Sequence, residues 1–147
     1  MVKNLSIYSQ KKYKIDKYLI HRLIKFLKYE LKFTFSTIQI NFISADQITQ
    51  INKKYLKHNY STDIITFDYS VKKKPIEAEL YISVEDARFN ARKFGVTFDK
   101  EIMRLAIHGI LHLIGFDDKT KEKKKIMKRH ENKLLNKFIE NEDQGTK

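Results

Sequence analysis

The sequence predicts one α/β (α+β) domain, with about five helices packed on a small mixed sheet of four strands and a histidine-bearing helix buried at the centre. Three observations carry this expectation. Short β-branched stretches alternate with longer segments whose apolar residues recur at helical spacing, the order of a layered mixed fold. The 147 residues fit one domain with a real core, since 41% of them are apolar. With only 4 Gly and 1 Pro, there is little room for a long structureless linker.

Residues 4–8 (NLSIY) alternate as a first strand. Across residues 16–32, Ile20, Leu23, Ile24, Leu27 and Leu31 follow the i, i+3, i+4, i+7 pattern of a helix. Residues 37–43 (TIQINFI) are β-branched and alternating, a second strand. Ser44 with Gln47 three positions on has the form of a capping box, opening a helix expected to bury Ile48, Ile51 and Tyr55. Residues 63–69 (DIITFDY) and 79–83 (ELYIS) read as strands joined in a hairpin by the lysine-rich VKKKP. SVEDARFNARKFG is a capped helix ending on Gly95, a C′ glycine. Thr97 or Asp99 caps the helix holding the histidines, and Gly115 ends it. A last helix over residues 120–139 places Ile126, Met127, Leu134, Leu135 and Phe138 on one side. The order is β-α-β-α-β-β-α-α-α. Residues 1–140 form the domain, and 141–147 (NEDQGTK) are expected to be a frayed, disordered polar tail.

The absence of cysteine excludes disulfides and thiolate metal sites. The opening MVKNLSIYSQKKYKID lacks the apolar core of a signal peptide. The longest apolar run, residues 105–116, is too short to span a bilayer. A cytoplasmic protein that does not engage membranes is expected. Lys plus Arg number 30 against 18 Asp plus Glu, a formal charge of +12 that favours polyanions, nucleic acid foremost. A generally lysine-rich composition accounts for the same total, so the clusters are more informative. Eight Lys/Arg, among them Lys119, Lys121, Lys124, Lys125, Lys128 and Arg129, stand against only Glu122 and Glu131 within residues 119–133, and Lys72–Lys74 form a second cluster.

The chemistry concentrates in HGILHLIGFDD. His108 and His112 are four apart, hence on one helix face, about 6 Å apart along the axis. Both imidazoles can reach one ion about 2 Å from each nitrogen, as in His-Glu-x-x-His zinc helices. Here position 109 is glycine, so the general-base glutamate of a zinc protease is missing. A mid-helix glycine costs up to about 1 kcal/mol against alanine; open space beside the metal is one reason to keep it. Asp117 and Asp118, just beyond Gly115, both offer a third ligand. Two histidines and a carboxylate match a catalytic zinc site and also suit iron or nickel.

These residues resemble the histidine motif of the YbeY family, metal-dependent endoribonucleases of bacterial rRNA maturation, whose pattern is His-Gly-x-Leu-His-Leu-x-Gly-Tyr/Phe-Asp-His. INKKYLKHNYSTDIITFDYS and AELYIS resemble two further family segments, so the similarity covers nearly the whole chain. It implies that His108, His112 and Asp118 hold the metal and act catalytically through the water it activates. Asp118 stands where the family has a third histidine. Leu56 stands where the family has a functionally important arginine, leaving Lys57 or His58 to supply positive charge. Thr62 and Asp63 match the family's Thr-Asp pair. Asp117 either orients water or caps the turn.

The resemblance implies hydrolysis of single-stranded RNA with one Zn2+ per chain, or another divalent metal such as Ni2+. It also implies small-subunit rRNA 3′-end processing and ribosome quality control. Expected partners are rRNA and ribosomal particles, with ribosomal proteins, assembly GTPases and other RNases as further candidates. Lys57, His58, Lys119, Lys121, Lys124, Lys125, Lys128 and Arg129 are the expected RNA contacts. Tyr55, Tyr60 and Phe116 can stack bases or serve the core. Two alternatives are a non-catalytic RNA-binding assembly factor with a structural metal, and a metal-dependent hydrolase of another substrate.

Overall fold

The computed structural model describes residues 1–71 and 75–145, so the lysine cluster at 72–74 lies outside the described residues. The elements are β1 (Leu5–Ser9), α1 (Lys17–Leu31), β2 (Phe35–Ile43), α2 (Ala45–Leu56), β3 (Ile64–Asp68), β4 (Ile76–Ser83), α3 (Val84–Phe94), α4 (Phe98–Leu113) and α5 (Lys121–Gly145). They form one domain around a mixed sheet of order β1-β2-β4-β3. Neighbours β1, β2 and β4 run parallel, while β3 pairs antiparallel with β4 and forms an edge.

Alternation sends Ile38, Ile40, Leu80 and Ile82 to one face of the sheet, and none is measurably exposed. Leu23, Ile24 and Leu27 of α1 join them, as do Leu105, Ile107 and Ile110 of α4, in a single core. Each such side chain contributes about 1.5–3 kcal/mol by leaving water. Met127, Leu134, Leu135 and Phe138 bring α5 onto the same core and cover the outer side of α4. On the opposite face of the sheet, Tyr55 of α2 packs edge-on against Phe67, ring centroids 5.6 Å apart. The histidine helix is therefore central, as its apolar circumference predicts. Among the described residues, no helix is long and apolar enough to cross a membrane.

The caps are those the sequence encodes. Ser44 and Gln47 form the reciprocal box at α2. Thr97, not Asp99, caps α4 by accepting the Lys100 N–H at 3.1 Å. Two expectations need correction. Tyr55 is 59% exposed and Asn52 is the buried polar residue of α2, because the Asn52 amide donates to the Tyr60 carbonyl at 2.9 Å and ties down the following loop. Ile126 is exposed, lying one position off the stripe defined by Met127, Leu134 and Phe138. Of the expected polar tail, residues 141–145 lie in α5, where Arg22 Nε donates to both oxygens of Glu142 at 2.9 and 3.1 Å, and 146–147 lie outside the described residues.

Candidate metal centre

The i, i+4 spacing places the Nε2 atoms of His108 and His112 3.1 Å apart. Beyond the C-cap Ile114, Gly115 adopts φ 112°, a conformation that side chains rarely tolerate, and Phe116 N–H returns to the Leu111 carbonyl at 2.9 Å. The reversal brings Asp118 back to the histidines. Its Oδ2 lies 3.8 Å from His108 Nε2 and its Oδ1 3.8 Å from His112 Nε2. Ligands bonded tetrahedrally at about 2.0–2.2 Å sit about 3.3–3.6 Å from one another. His108, His112 and Asp118 can therefore hold one metal ion. Burial, and then neighbouring His108, push the His112 pKa down, which favours the neutral imidazole that ligation requires.

Behind His108 stands a charged network that sequence reading did not find. Glu131 Oε2 lies 2.6 Å from His108 Nδ1. A proton on Nδ1 bonds this carboxylate and leaves the Nε2 lone pair aimed at the ligand group. Arg104, one turn before His108, donates from Nη1 to Glu131 at 3.0 Å, and from Nε and Nη2 to Glu101 at 2.9 and 2.6 Å. The Glu101 hydrogen bond raises the Arg104 pKa further, so the guanidinium stays charged. Asn90 donates to Asp63 at 3.2 Å, and burial raises the Asp63 pKa. Three carboxylates thus surround one guanidinium, and Glu101 and Glu131 are only 1% and 3% exposed. The excess negative charge on this side of His108 suits a cation on the other. Among the described residues, no buried side-chain nitrogen or oxygen lacks a partner.

Gly109 serves a different purpose from the one its position suggests. A Cβ there would lie 2.5 Å from Leu80 Cδ2 and 3.3 Å from Ile64 Cδ1. It faces the sheet, not the ligands, and lets α4 lie close on β3 and β4. The open side of the site is instead a groove of about 490 Å³ along the β3 edge, lined by His108, His112 and Asp118 together with Leu56, His58 and Asp63.

The other expected residues separate clearly. Asp117 turns away: its carboxylate accepts the Lys119 N–H at 3.0 Å and Lys123 Nζ at 3.2 Å. The Lys119 N–H, followed by Lys123, lowers its pKa, so it remains ionised and fixes the turn. His58 reaches the groove and packs on Tyr60 at 5.2 Å, whereas exposed Lys57 is the left-handed C-cap of α2. Thr62 and Asp63 line the groove. Lys124 and Lys128 lie on the face of α5 turned toward His108. Lys119, Lys121, Lys125 and Arg129 line neither this face nor the groove. Tyr55 and Tyr60 are exposed, while Phe116 is half-buried against His130. An arginine one turn before His108 was the available signal for the network. Glu131 gave none, being 23 residues away from its histidine.

Fold and site define a single-domain α/β protein with a two-histidine, one-aspartate group that could hold a metal ion and opens onto a sheet-edge groove. Residues 4–139 match the family model described as Endoribonuclease YbeY. The chain belongs to the YbeY family. The Endoribonuclease YbeY of Chlorobaculum parvum is 37% identical over 134 residues, 91% of this chain and 94% of that protein. The one from Bacteroides thetaiotaomicron is 46% identical over 94 residues, 64% of this chain and 68% of that protein. A solution structure from Thermotoga maritima has a TM-score of 0.62 at 26% identity, covering 93% of each chain.

Proposed function

We propose that this protein is a metal-dependent endoribonuclease that hydrolyses single-stranded RNA. We place its action in the cytoplasm, on ribosomal particles, in maturation of the small-subunit rRNA 3′ end and in ribosome quality control. The observation that carries the reading is the convergence of His108, His112 and Asp118 at the floor of an open groove. The donor set suits zinc best, and a divalent ion held there supplies Lewis-acid activation of water and of the phosphodiester.

The protein's own groups do the rest. His108 and His112 present their Nε2 atoms to the site, and Glu131 fixes the His108 ring. Asp118 contributes negative charge where the family carries a neutral histidine, which lowers the acidity of water at the site. His58, on the groove wall, is placed to donate to a phosphate oxygen. Leu56 lines the same groove without charge, so phosphate is held there less firmly than by a forked guanidinium.

Metal content by elemental analysis and cleavage of a single-stranded RNA, measured on the same preparations, test the reading. Wild type should carry about one zinc per chain and cleave, while His112→Ala and Asp118→Ala should lose metal and cleavage with the fold intact. Cleavage that survives His112→Ala would show a contaminating nuclease. Metal binding without cleavage, with rRNA processing in cells restored by His112→Ala, would establish the non-catalytic assembly factor instead.

A further inference from the structure

His108 and Asp118 stand between two spaces. On the side away from the β3 groove, a second cavity of about 440 Å³ opens between the end of α3, the first half of α4 and α5. Its floor is the Glu101–Arg104–Glu131 network, whose charges are engaged with one another. Val96, Met127 and Leu135 supply apolar wall, and Asn132 and Asn136, one turn apart on α5, add two amides. Phe94, 56% exposed, stands at the edge, with Lys93 Nζ over its ring at 5.8 Å from the centroid. Lys124 and Lys128 are also one turn apart, and neither side chain has an ion-pair partner among the described residues.

We infer that this cavity receives a single unstacked nucleotide of the substrate, on one side of the phosphodiester that is cut. The strand would then pass from the groove, across His108 and Asp118, into the cavity. This rests on the endoribonuclease reading and deepens it. The volume falls within the roughly 300–1,000 Å³ of small-ligand pockets. The apolar wall and Phe94 suit a base face, which stacks on aromatic surface whatever its sequence. Amides pair with base edges through adjacent donors and acceptors, as asparagine does with adenine. Lys124 and Lys128 suit the phosphate attached to that nucleotide. A base inside a duplex cannot enter, because its faces are stacked and its pairing edge is occupied. The cavity thereby gives a physical basis for a single-strand preference.

The test compares two pairs of charge-removing variants of the zinc-loaded full-length protein, with one variant that fills the cavity. Lys124→Gln/Lys128→Gln removes two charges at the cavity. Lys17→Gln/Lys25→Gln removes two from exposed positions on α1 that line neither space. Asn132→Trp fills the cavity from an exposed position on α5.

The cavity pair and Asn132→Trp should each raise KM for a short single-stranded RNA about tenfold or more, with metal content unchanged and the α1 pair within about twofold. Adenosine 5′-monophosphate, titrated into the same proteins, should lose affinity in parallel. Equal effects of the two charge pairs, together with wild-type behaviour of Asn132→Trp, would overturn the inference while leaving the endoribonuclease reading in place. If wild type cleaves no RNA yet binds the nucleotide in a way Asn132→Trp abolishes, the endoribonuclease reading fails and the nucleotide site stands. Absence of both activities in wild type overturns both.

Discussion

Glu131 Oε2 sits 2.6 Å from Nδ1 of His108, although 23 residues separate the two and they lie on different helices. The contact ties α5 to the ligand face of α4, and Arg104 locks it from the far side at 3.0 Å. Carboxylate partners of ligating histidines typically account for about 10–100-fold in metal affinity. Glu131→Gln keeps the shape and an acceptor but removes the charge. It should weaken zinc binding within that range in competition with a chromophoric chelator. Unchanged affinity would mean that packing of α4 alone orients His108.

Leu56 is 45% exposed and lines the groove that opens on the ligand group, so the site has room for a longer side chain there. A hydrogen bond to a charged group contributes about 1.5–3 kcal/mol, and 1.4 kcal/mol is tenfold in rate. Leu56→Arg is expected to raise kcat/KM for RNA about tenfold, with the gain shrinking as salt increases. A rate that stays flat across salt concentrations would rule out a missing phosphate contact.

Gly109→Ala sets two effects against each other. Helix propensity improves by up to about 1 kcal/mol. The new methyl overlaps Leu80, which is completely buried and has nowhere to swing, and overpacking of this kind costs about 1–3 kcal/mol. The clash should win, lowering stability by about 1–2 kcal/mol in urea unfolding. A stabilised variant would show that α4 can lift from the sheet without penalty.

Tyr69 donates to Glu79 at 2.8 Å, and this hydrogen bond pushes its pKa up to about 12. The folded-state value lies above the unfolded one, near 10. The contribution to stability is therefore complete below the unfolded value and is lost as pH rises through about 12. Alkaline titration followed by near-ultraviolet absorbance should lose a late-ionising phenol in Tyr69→Phe. Glu79→Gln should return Tyr69 toward ordinary tyrosine behaviour, and a titration curve indifferent to both changes would refute the assignment.

Local features were legible wherever a residue acts on its immediate neighbours along the chain. The capping box at Ser44 and Gln47, the hairpin of β3 and β4, and the turn at Gly115 each depend on residues a few positions apart. So does the pairing of His108 with His112, since helical geometry alone puts i and i+4 on one face. The glycine turn left Asp117 and Asp118 equally open as a third ligand, and only the resemblance to the family motif singled out Asp118. Tyr55 and Ile126 were misplaced because periodicity gives a face of a helix, not the width of what covers it.

The sequence by itself determined the elements, their order and the shared face of His108 and His112, because those depend on backbone geometry and short-range spacing. Only the tertiary structure decided what stands behind and beside them. That Glu131 meets His108 depends on the rotation of α5 about its own axis, set by Met127, Leu134, Leu135 and Phe138 burying together. That Gly109 admits Leu80 rather than substrate depends on which face of α4 meets the sheet. Side-chain burial summed over the whole core fixes both, and no local pattern in one helix encodes that sum.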